Sequence, residues 1–220
     1  MKGVLFDLDG VIADTSTYHF QAWRKLIKDN FNRNLPDELE KQTKGVSRED
    51  SLRIILGYLK IKVSPERFTQ LTIEKNKFYQ SLLSNLTKKD ILPGITQFIA
   101  DLKFRQIKLS LASASLNGPF ILKKLHLSDK FDAIADPGKI SAGKPAPDIF
   151  IAAAKAIDVP VTDCIGIEDS VAGITAINLS GAFSVGIGKK DDLDAAKLLF
   201  SDTAKISYTK INQAWNNWKK

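Results

Sequence analysis

The chain has 220 residues, and its hydrophobic fraction of 44% and charged fraction of 26% are typical of a globular protein with a sizeable core. No apolar run is long enough to span a membrane, no signal-peptide pattern is present, and the single cysteine, Cys164, excludes an intrachain disulfide. We therefore expect a cytoplasmic protein without a membrane partner. The formal net charge of +7 favours anionic partners. The lysines are scattered, however, in pairs such as 88–89 and 123–124, which favours a small anionic ligand over a nucleic acid.

The first predicted element is a buried strand that ends in two carboxylates. Residues 4–6 form a short apolar run, and Asp7 and Asp9 follow it before Gly10. Residues two apart in an extended chain point to the same side, so both carboxylates would face one small volume. Two such groups repel each other unless one is protonated or a cation such as Mg²⁺ lies between them. The alternative is a strand end whose acids are solvated or cap a turn.

Four predicted helices without a strand follow, from about Thr15 to Leu83. Possible N-caps at residues 15–17 precede the first helix, and a short second helix is predicted at 39–44. Ser47 caps the third, and Ser64 precedes the fourth. Because strands resume only beyond residue 92, we expect residues 15–83 to form a helical cap domain inserted after the first strand. Residues 1–14 and 84–220 would then form one α/β core domain.

Strands and helices alternate in the remainder of the chain. The predicted helices are 95–104, 117–125, 147–157, 171–179, 193–200 and 208–218, and the predicted strands are 107–112, 133–135, 164–167 and 183–187. This alternation predicts a Rossmann-like parallel sheet with helices on both of its faces.

Polar residues follow several of the predicted strands, at the sheet edge where ligands of such folds bind. They are Asp7, Asp9, Ser113, Glu168 and Asp169, with Lys144 in a nearby loop. Each alone is weak evidence, because a serine often caps a helix and a lysine is often a surface residue. Together they supply carboxylates, a cation and a hydroxyl, which are the groups that phosphoryl transfer requires.

These residues resemble the four motifs of the haloacid dehalogenase superfamily. The motifs are Asp7-x-Asp9-Gly10-Val11, Ser113, Lys144-Pro145 and Glu168-Asp169-Ser170, and the helical insertion resembles that superfamily's small cap. Segments 44–52, 112–119 and 131–137 further resemble the β-phosphoglucomutase family within the superfamily. The similarity covers nearly the whole chain and weakens toward the C-terminus.

The resemblance implies a role for each acidic residue. Asp7 would be the nucleophile that forms an aspartyl phosphate, and Asp9 would be the general acid and base. Mg²⁺ would be held by Asp7, the backbone carbonyl of Asp9, and Asp169, with Glu168 close by.

The resemblance also implies two phosphate sites. The transferring phosphate would be bound by Ser113, Lys144 and the backbone N–H of Ala114. Arg48, at the start of a cap helix, would bind the distal phosphate of a sugar bisphosphate. The other expected substrate contacts are Gly45, Val46, Ser47, Ser115, Asn117, His19, Lys75 and Trp23. For His19 a plain position on a polar helix face is a competing interpretation, and for Trp23 a place in the cap core is the better one.

The implied function is that of an isomerase in carbohydrate metabolism, acting on small-molecule sugar phosphates as a monomer. It would interconvert β-D-glucose 1-phosphate and glucose 6-phosphate through β-glucose 1,6-bisphosphate. The nearest alternative is a phosphatase of the same fold, and a noncatalytic binding protein or a nucleic-acid binder is more distant. Leu116 departs from the lysine expected at that position, so a side-chain contribution to the distal pocket stays open there.

Overall fold

The computed structural model describes residues 1–220 and contains six strands and nine α-helices. The strands are β1 (Gly3–Phe6), β2 (Lys108–Leu111), β3 (Ala133–Ile134), β4 (Cys164–Glu168), β5 (Phe183–Ile187) and β6 (Leu198–Phe200). The helices are α1 (Ser16–Phe31), α2 (Glu38–Thr43), α3 (Arg48–Leu59), α4 (Pro65–Leu83), α5 (Ile95–Phe104), α6 (Gly118–Lys124), α7 (Asp148–Ala156), α8 (Val171–Ser180) and α9 (Tyr208–Trp218).

All six strands belong to one parallel sheet in the order β3-β2-β1-β4-β5-β6, which confirms the predicted fold class. The first strand lies in the middle of the sheet, between β2 and β4. Phe6 is in register with Leu111 and with Ile167, so these three strands end at the same level. The residues that follow them are therefore brought to one edge of the sheet.

Helices cover both faces of the sheet. Val4 and Phe6 belong to a hydrophobic cluster of 29 buried residues that includes residues of α5, α6 and α9. Leu5 points the other way and belongs to a cluster of 15 residues that includes α7 and α8. This alternation along β1 is what a strand buried on both faces requires.

The first four helices contain a hydrophobic cluster of their own. Its ten buried residues all lie between Phe20 and Leu71, and Trp23 is among them with an exposure of 2%. Two segments of the chain join this unit to the sheet, one before the first helix and one after the fourth. These segments contact each other through a hydrogen bond of 2.9 Å from the Leu92 N–H to the Ile12 carbonyl. We therefore propose residues 15–83 as a cap domain that can move on the core domain formed by residues 1–14 and 84–220.

The helix predicted over residues 193–200 is wrong, because residues 198–200 form β6 at the edge of the sheet. Leu198 is paired with Val185, and the N–H of Lys197 donates to the Ser184 hydroxyl at 3.0 Å. A short apolar run such as residues 198–200 is compatible with a strand as well as with a helix.

Candidate active site

Three carboxylates meet at the carboxyl ends of β1 and β4. One oxygen from each of Asp7, Glu168 and Asp169 lies within 4.8 Å of the others. The Lys144 ammonium, which is fully buried, lies 2.6 Å from Asp7 Oδ1 and 2.6 Å from Glu168 Oε1. The other oxygen of Glu168 accepts hydrogen bonds of 2.7 Å from two backbone N–H groups, those of Asp169 and Ser170. The glutamate is thus fixed, and it holds the lysine against Asp7.

The surroundings of these carboxylates disfavour negative charge. Burial raises the pKa of Asp7 well above its usual range, and neighbouring Glu168 adds to the rise while Lys144 opposes it. Burial and Glu168 also raise the pKa of Asp169 to about 7, against the effect of Lys44. For Lys144, burial lowers the pKa, but the two carboxylates outweigh it and raise the pKa overall. The nearby lysines therefore do not fully offset the negative charge of the three carboxylates. The carboxylate oxygens are ligands that suit a hard divalent cation.

The carboxylate of Asp9 is held from the cap side. The Thr15 hydroxyl donates to its Oδ1, the Tyr79 hydroxyl lies 3.4 Å from the same oxygen, and His19 Nε2 lies 3.6 Å from its Oδ2. Burial raises the pKa of Asp9, although the hydrogen bond from Thr15 opposes the rise. A carboxyl group with a raised pKa is suited to hold a proton and to donate it.

A cavity of about 60 Å³ lies between the core and the cap. Its walls include ten of the residues that the sequence predicts for the site: Asp7, Asp9, His19, Trp23, Gly45, Val46, Arg48, Lys75, Ala114 and Ser115. Lys144 contacts Asp7 behind this wall. A volume of this size holds roughly four to six water molecules.

Basic side chains crowd the cap side of this cavity. Lys75 Nζ lies 2.6 Å from His19 Nδ1, and it lies over the rings of Trp23 and Tyr79 at 4.9 and 4.5 Å from their centroids. Burial and the nearby Arg48 lower the pKa of Lys75 to about 7, and burial, Lys75 and Arg48 lower the pKa of His19 well below its usual value. Basic groups that lower each other's pKa in this way would be stabilised in their charged forms by an anion in the cavity.

Two predicted contact residues do not line the cavity. The Ser47 hydroxyl accepts from the Asp50 N–H at 3.1 Å and donates to the Asp50 carboxylate at 2.7 Å, so it caps α3. Asn117 lies at the N-cap of α6, and its side-chain amide forms hydrogen bonds of 3.0 Å with Asn76 and Gln80 of α4. Ser47 therefore orients the helix that starts with Arg48, and Asn117 ties the core to the cap.

The remaining predicted phosphate ligand, Ser113, is buried beside the cavity. Its hydroxyl accepts a hydrogen bond of 3.1 Å from the N–H of Ser115, which shapes the loop after β2. Leu116 is 58% exposed and does not line the cavity, so the side chain at this position makes no contact with the enclosed space.

Three further residues touch the reactive groups and escaped the sequence analysis. Lys44 places its ammonium 2.7 Å from Asp169 Oδ2, and Tyr79 and Thr15 contact Asp9. Only Lys44 carried a signal, because it opens the segment 44–52 on which part of the resemblance rests. Thr15 was predicted as a helix cap, but its hydroxyl makes no capping bond to α1.

Gly45 explains how the cap approaches the core so closely. Its φ of +74° lies in the left-handed region, and a Cβ added there would lie 2.2 Å from the Ser170 hydroxyl oxygen. Only glycine accommodates both the backbone conformation and the contact.

A family model of haloacid dehalogenase-like hydrolases matches residues 1–181, which is most of the chain. The chain therefore belongs to the haloacid dehalogenase-like hydrolase family. The three clustered carboxylates fit a site for a divalent metal. None of the helices combines the length and the apolar character needed to cross a membrane.

Two proteins that the chain matches over its whole length are β-phosphoglucomutases, which confirms the resemblance seen in the sequence. The β-phosphoglucomutase of Bacillus subtilis (strain 168) is 42% identical over 221 residues, covering 100% of this chain and 97% of the relative. The crystal structure of β-phosphoglucomutase from Clostridium difficile is also 42% identical, with a TM-score of 0.96 over 100% of this chain and 99% of that one. The phosphorylated carbohydrates phosphatase of Thermotoga maritima is 29% identical over 183 residues, covering 82% of each protein.

Proposed function

We propose that this protein is a Mg²⁺-dependent β-phosphoglucomutase, which interconverts β-D-glucose 1-phosphate and glucose 6-phosphate through β-glucose 1,6-bisphosphate. One observation carries the proposal: a single cavity contains Asp7 and Asp9 from the core together with Arg48 from the cap. A hydrolase needs one phosphate pocket, whereas a mutase that acts on a bisphosphate needs a second cationic group for the phosphate that is not being transferred. The full-length similarity to two β-phosphoglucomutases supports the same assignment.

Asp7 and Asp9 divide the chemistry between them. In the first step the 6-hydroxyl of β-glucose 1-phosphate attacks the phosphorus of phosphorylated Asp7, Asp9 takes the hydroxyl proton, and the bond between phosphorus and the Asp7 oxygen breaks, which leaves the Asp7 carboxylate and β-glucose 1,6-bisphosphate. The bisphosphate then turns end for end. In the second step an oxygen of Asp7 attacks the phosphorus on the 1-oxygen, the bond between phosphorus and that oxygen breaks, and Asp9 gives its proton to the oxygen, which releases glucose 6-phosphate and restores the phosphoaspartate.

The phosphoryl oxygens need positive charge before a carboxylate can approach them. Lys144, which is 2.6 Å from Asp7, supplies one such charge, and Ser113 and the backbone N–H of Ala114 are the proposed hydrogen-bond donors. Bound Mg²⁺ would neutralise further charge on the transferring group, and Asp7, Asp169 and the backbone carbonyl of Asp9 are its proposed ligands, with Glu168 close by.

The cap is proposed to hold the distal phosphate and to exclude water. Arg48 begins α3, where its guanidinium and the free N–H groups of the helix end both suit a phosphate. Lys75 and His19 line the same side and are proposed sugar or phosphate contacts. Residues 14–17 and 84–90 are the proposed hinges, because the cap must open to admit the substrate.

A phosphatase acting on a small phosphate ester is the second candidate. The similarity to the Thermotoga maritima phosphatase favours it, and so does the exposed Leu116 at a position where a basic side chain was expected. We further propose that the protein acts as a cytoplasmic monomer on small molecules, without a nucleic-acid partner.

One assay separates the two candidates. The protein is incubated with Mg²⁺, β-glucose 1-phosphate and a bisphosphate primer, and glucose 6-phosphate and free phosphate are measured in the same samples. Isomer formation much faster than phosphate release supports the mutase, and phosphate release that keeps pace with or exceeds isomer formation supports the phosphatase.

A further inference from the structure

A basic groove lies outside the active site, between the chain segment that leaves the cap and the end of α6. Its volume is about 720 Å³, and Lys88 and Lys89 line it from one side. Lys123, Lys124 and His126 line it from the other side. In the sequence these lysines read as scattered surface charges, but the fold brings both pairs to one concave surface.

The positive charge of this groove is only partly offset within the protein: the hydrogen bond from Lys130 and, more weakly, the charge of Lys88 lower the pKa of Asp129. None of its four lysines takes part in the ion pairs that the protein's other lysines form with its acids. The nearby Asp90 accepts from the backbone N–H and the hydroxyl of Thr87 at 2.7 and 3.0 Å, and Asp129 is paired with Lys130 at 2.7 Å. Both acids are thus already bound by other groups, and the excess positive charge favours an anionic ligand.

The groove also contains an apolar surface of the right kind for a flat ring. The side chain of Phe120, on α6, is 43% exposed although it is large and apolar. A single phosphate would occupy only a small part of this volume, which lies in the range of sites for whole small molecules. An aromatic side chain flanked by lysines suits a ligand that has a base at one end and several phosphates at the other.

We propose that this groove binds a nucleoside polyphosphate, with its phosphates on the two lysine pairs and its base on Phe120. The ligand would link the segment that leaves the cap to the core helix α6. That helix begins next to Asn117, which bonds to α4 of the cap. The groove is therefore placed to influence cap movement, and its ligand binding does not depend on the reaction that the active site performs.

The test is calorimetric titration of the full-length protein with adenosine triphosphate and, separately, with inorganic tripolyphosphate, at low salt and without divalent ions. Both are expected to bind, more weakly as salt is added. The double variant Lys123→Ala/Lys124→Ala should bind both about tenfold more weakly. Phe120→Ala should weaken the triphosphate nucleotide about tenfold and leave tripolyphosphate unchanged, because only the nucleotide has a base to stack.

The matched control is Lys155→Ala/Lys210→Ala, which removes the same charge at two exposed helical lysines elsewhere on the surface. It should bind like the unmodified protein. Hydrogen exchange should show protection of residues 86–90 and 118–126 when the nucleotide is added, and it should also verify that each variant is folded.

Three results would overturn the proposal. The first is no binding of the nucleotide at millimolar concentration. The second is equal weakening by the groove variants and by the control pair, which would indicate a general charge effect. The third is binding that the lysine variants leave unchanged and that β-glucose 1-phosphate displaces, which would assign the nucleotide to the active site.

Discussion

Replacing Lys75 by methionine should remove a specific pH dependence from the stability of this protein. Lys75 is 1% exposed, and burial together with Arg48 lowers its pKa to about 7 from an ordinary 10.5. At a pH between these two pKa values, Lys75 is protonated in the unfolded chain and deprotonated in the folded chain. The unfolded state then binds more protons, so the contribution of Lys75 to stability rises with pH.

The size of this effect follows from the pKa difference. A full difference of one bound proton changes the free energy of unfolding by about 1.4 kcal/mol per pH unit. Because the folded lysine is half protonated near pH 7, the gain between about pH 7 and pH 9 is about 2 kcal/mol. The pKa of His19 lies well below 6.5, so its titration falls outside this window.

Urea unfolding at several pH values between about pH 7 and pH 9 measures the effect. The unfolding free energy of the unmodified protein should rise by about 2 kcal/mol more than that of Lys75→Met. The exposed Lys77, on the same helix, provides the control Lys77→Met, which should follow the unmodified protein. A constant difference between Lys75→Met and the unmodified protein would refute the argument. It would mean that the lysine stays charged over the rings of Trp23 and Tyr79.

Three substitutions test the proposed active site. Asp9→Asn should lower turnover at least about a hundredfold while calorimetry still detects Mg²⁺ binding, and unchanged turnover would remove the acid–base role. Arg48→Ala should lower kcat/KM for isomerisation by roughly tenfold to a hundredfold and leave hydrolysis of p-nitrophenyl phosphate unchanged, because only the bisphosphate has a distal phosphate. Equal losses in the two reactions would count against a distal phosphate pocket. Gly45→Ala should lower kcat and enlarge the radius of gyration measured by X-ray scattering, because a Cβ 2.2 Å from the Ser170 hydroxyl oxygen hinders closure; a normal kcat would show that the loop relaxes.

The placement of the reactive groups was predictable because it follows from topology. In a parallel sheet the residues after neighbouring strands share one edge, so the acids after β1 and β4 and the serine after β2 had to lie close together. The four helices that follow β1 were predictable for a similar reason, since helical patterns without a strand could not add to the sheet. Neither inference required knowledge of a side-chain contact.

Contacts across the cap–core boundary could not be predicted in the same way. Thr15 has the sequence context of a helix cap, and only the fold shows that its hydroxyl reaches Asp9. Lys88 and Lys123 are surface lysines in any local pattern, and only the fold places them on one groove. The strand at Leu198–Phe200 was missed because short apolar runs do not distinguish an edge strand from a helix.

The central claim is that Asp7 takes up a phosphoryl group and passes it to a sugar. The most direct test is rapid mixing with β-glucose 1,6-bisphosphate and Mg²⁺, followed by an acid quench and mass spectrometry of the protein and its peptides. We predict the added mass of one phosphoryl group on the peptide that contains Asp7, its loss when glucose 6-phosphate is added, and its absence in Asp7→Ala. Glucose 6-phosphate formed from β-glucose 1-phosphate without that adduct, or an adduct on another residue, would contradict the account.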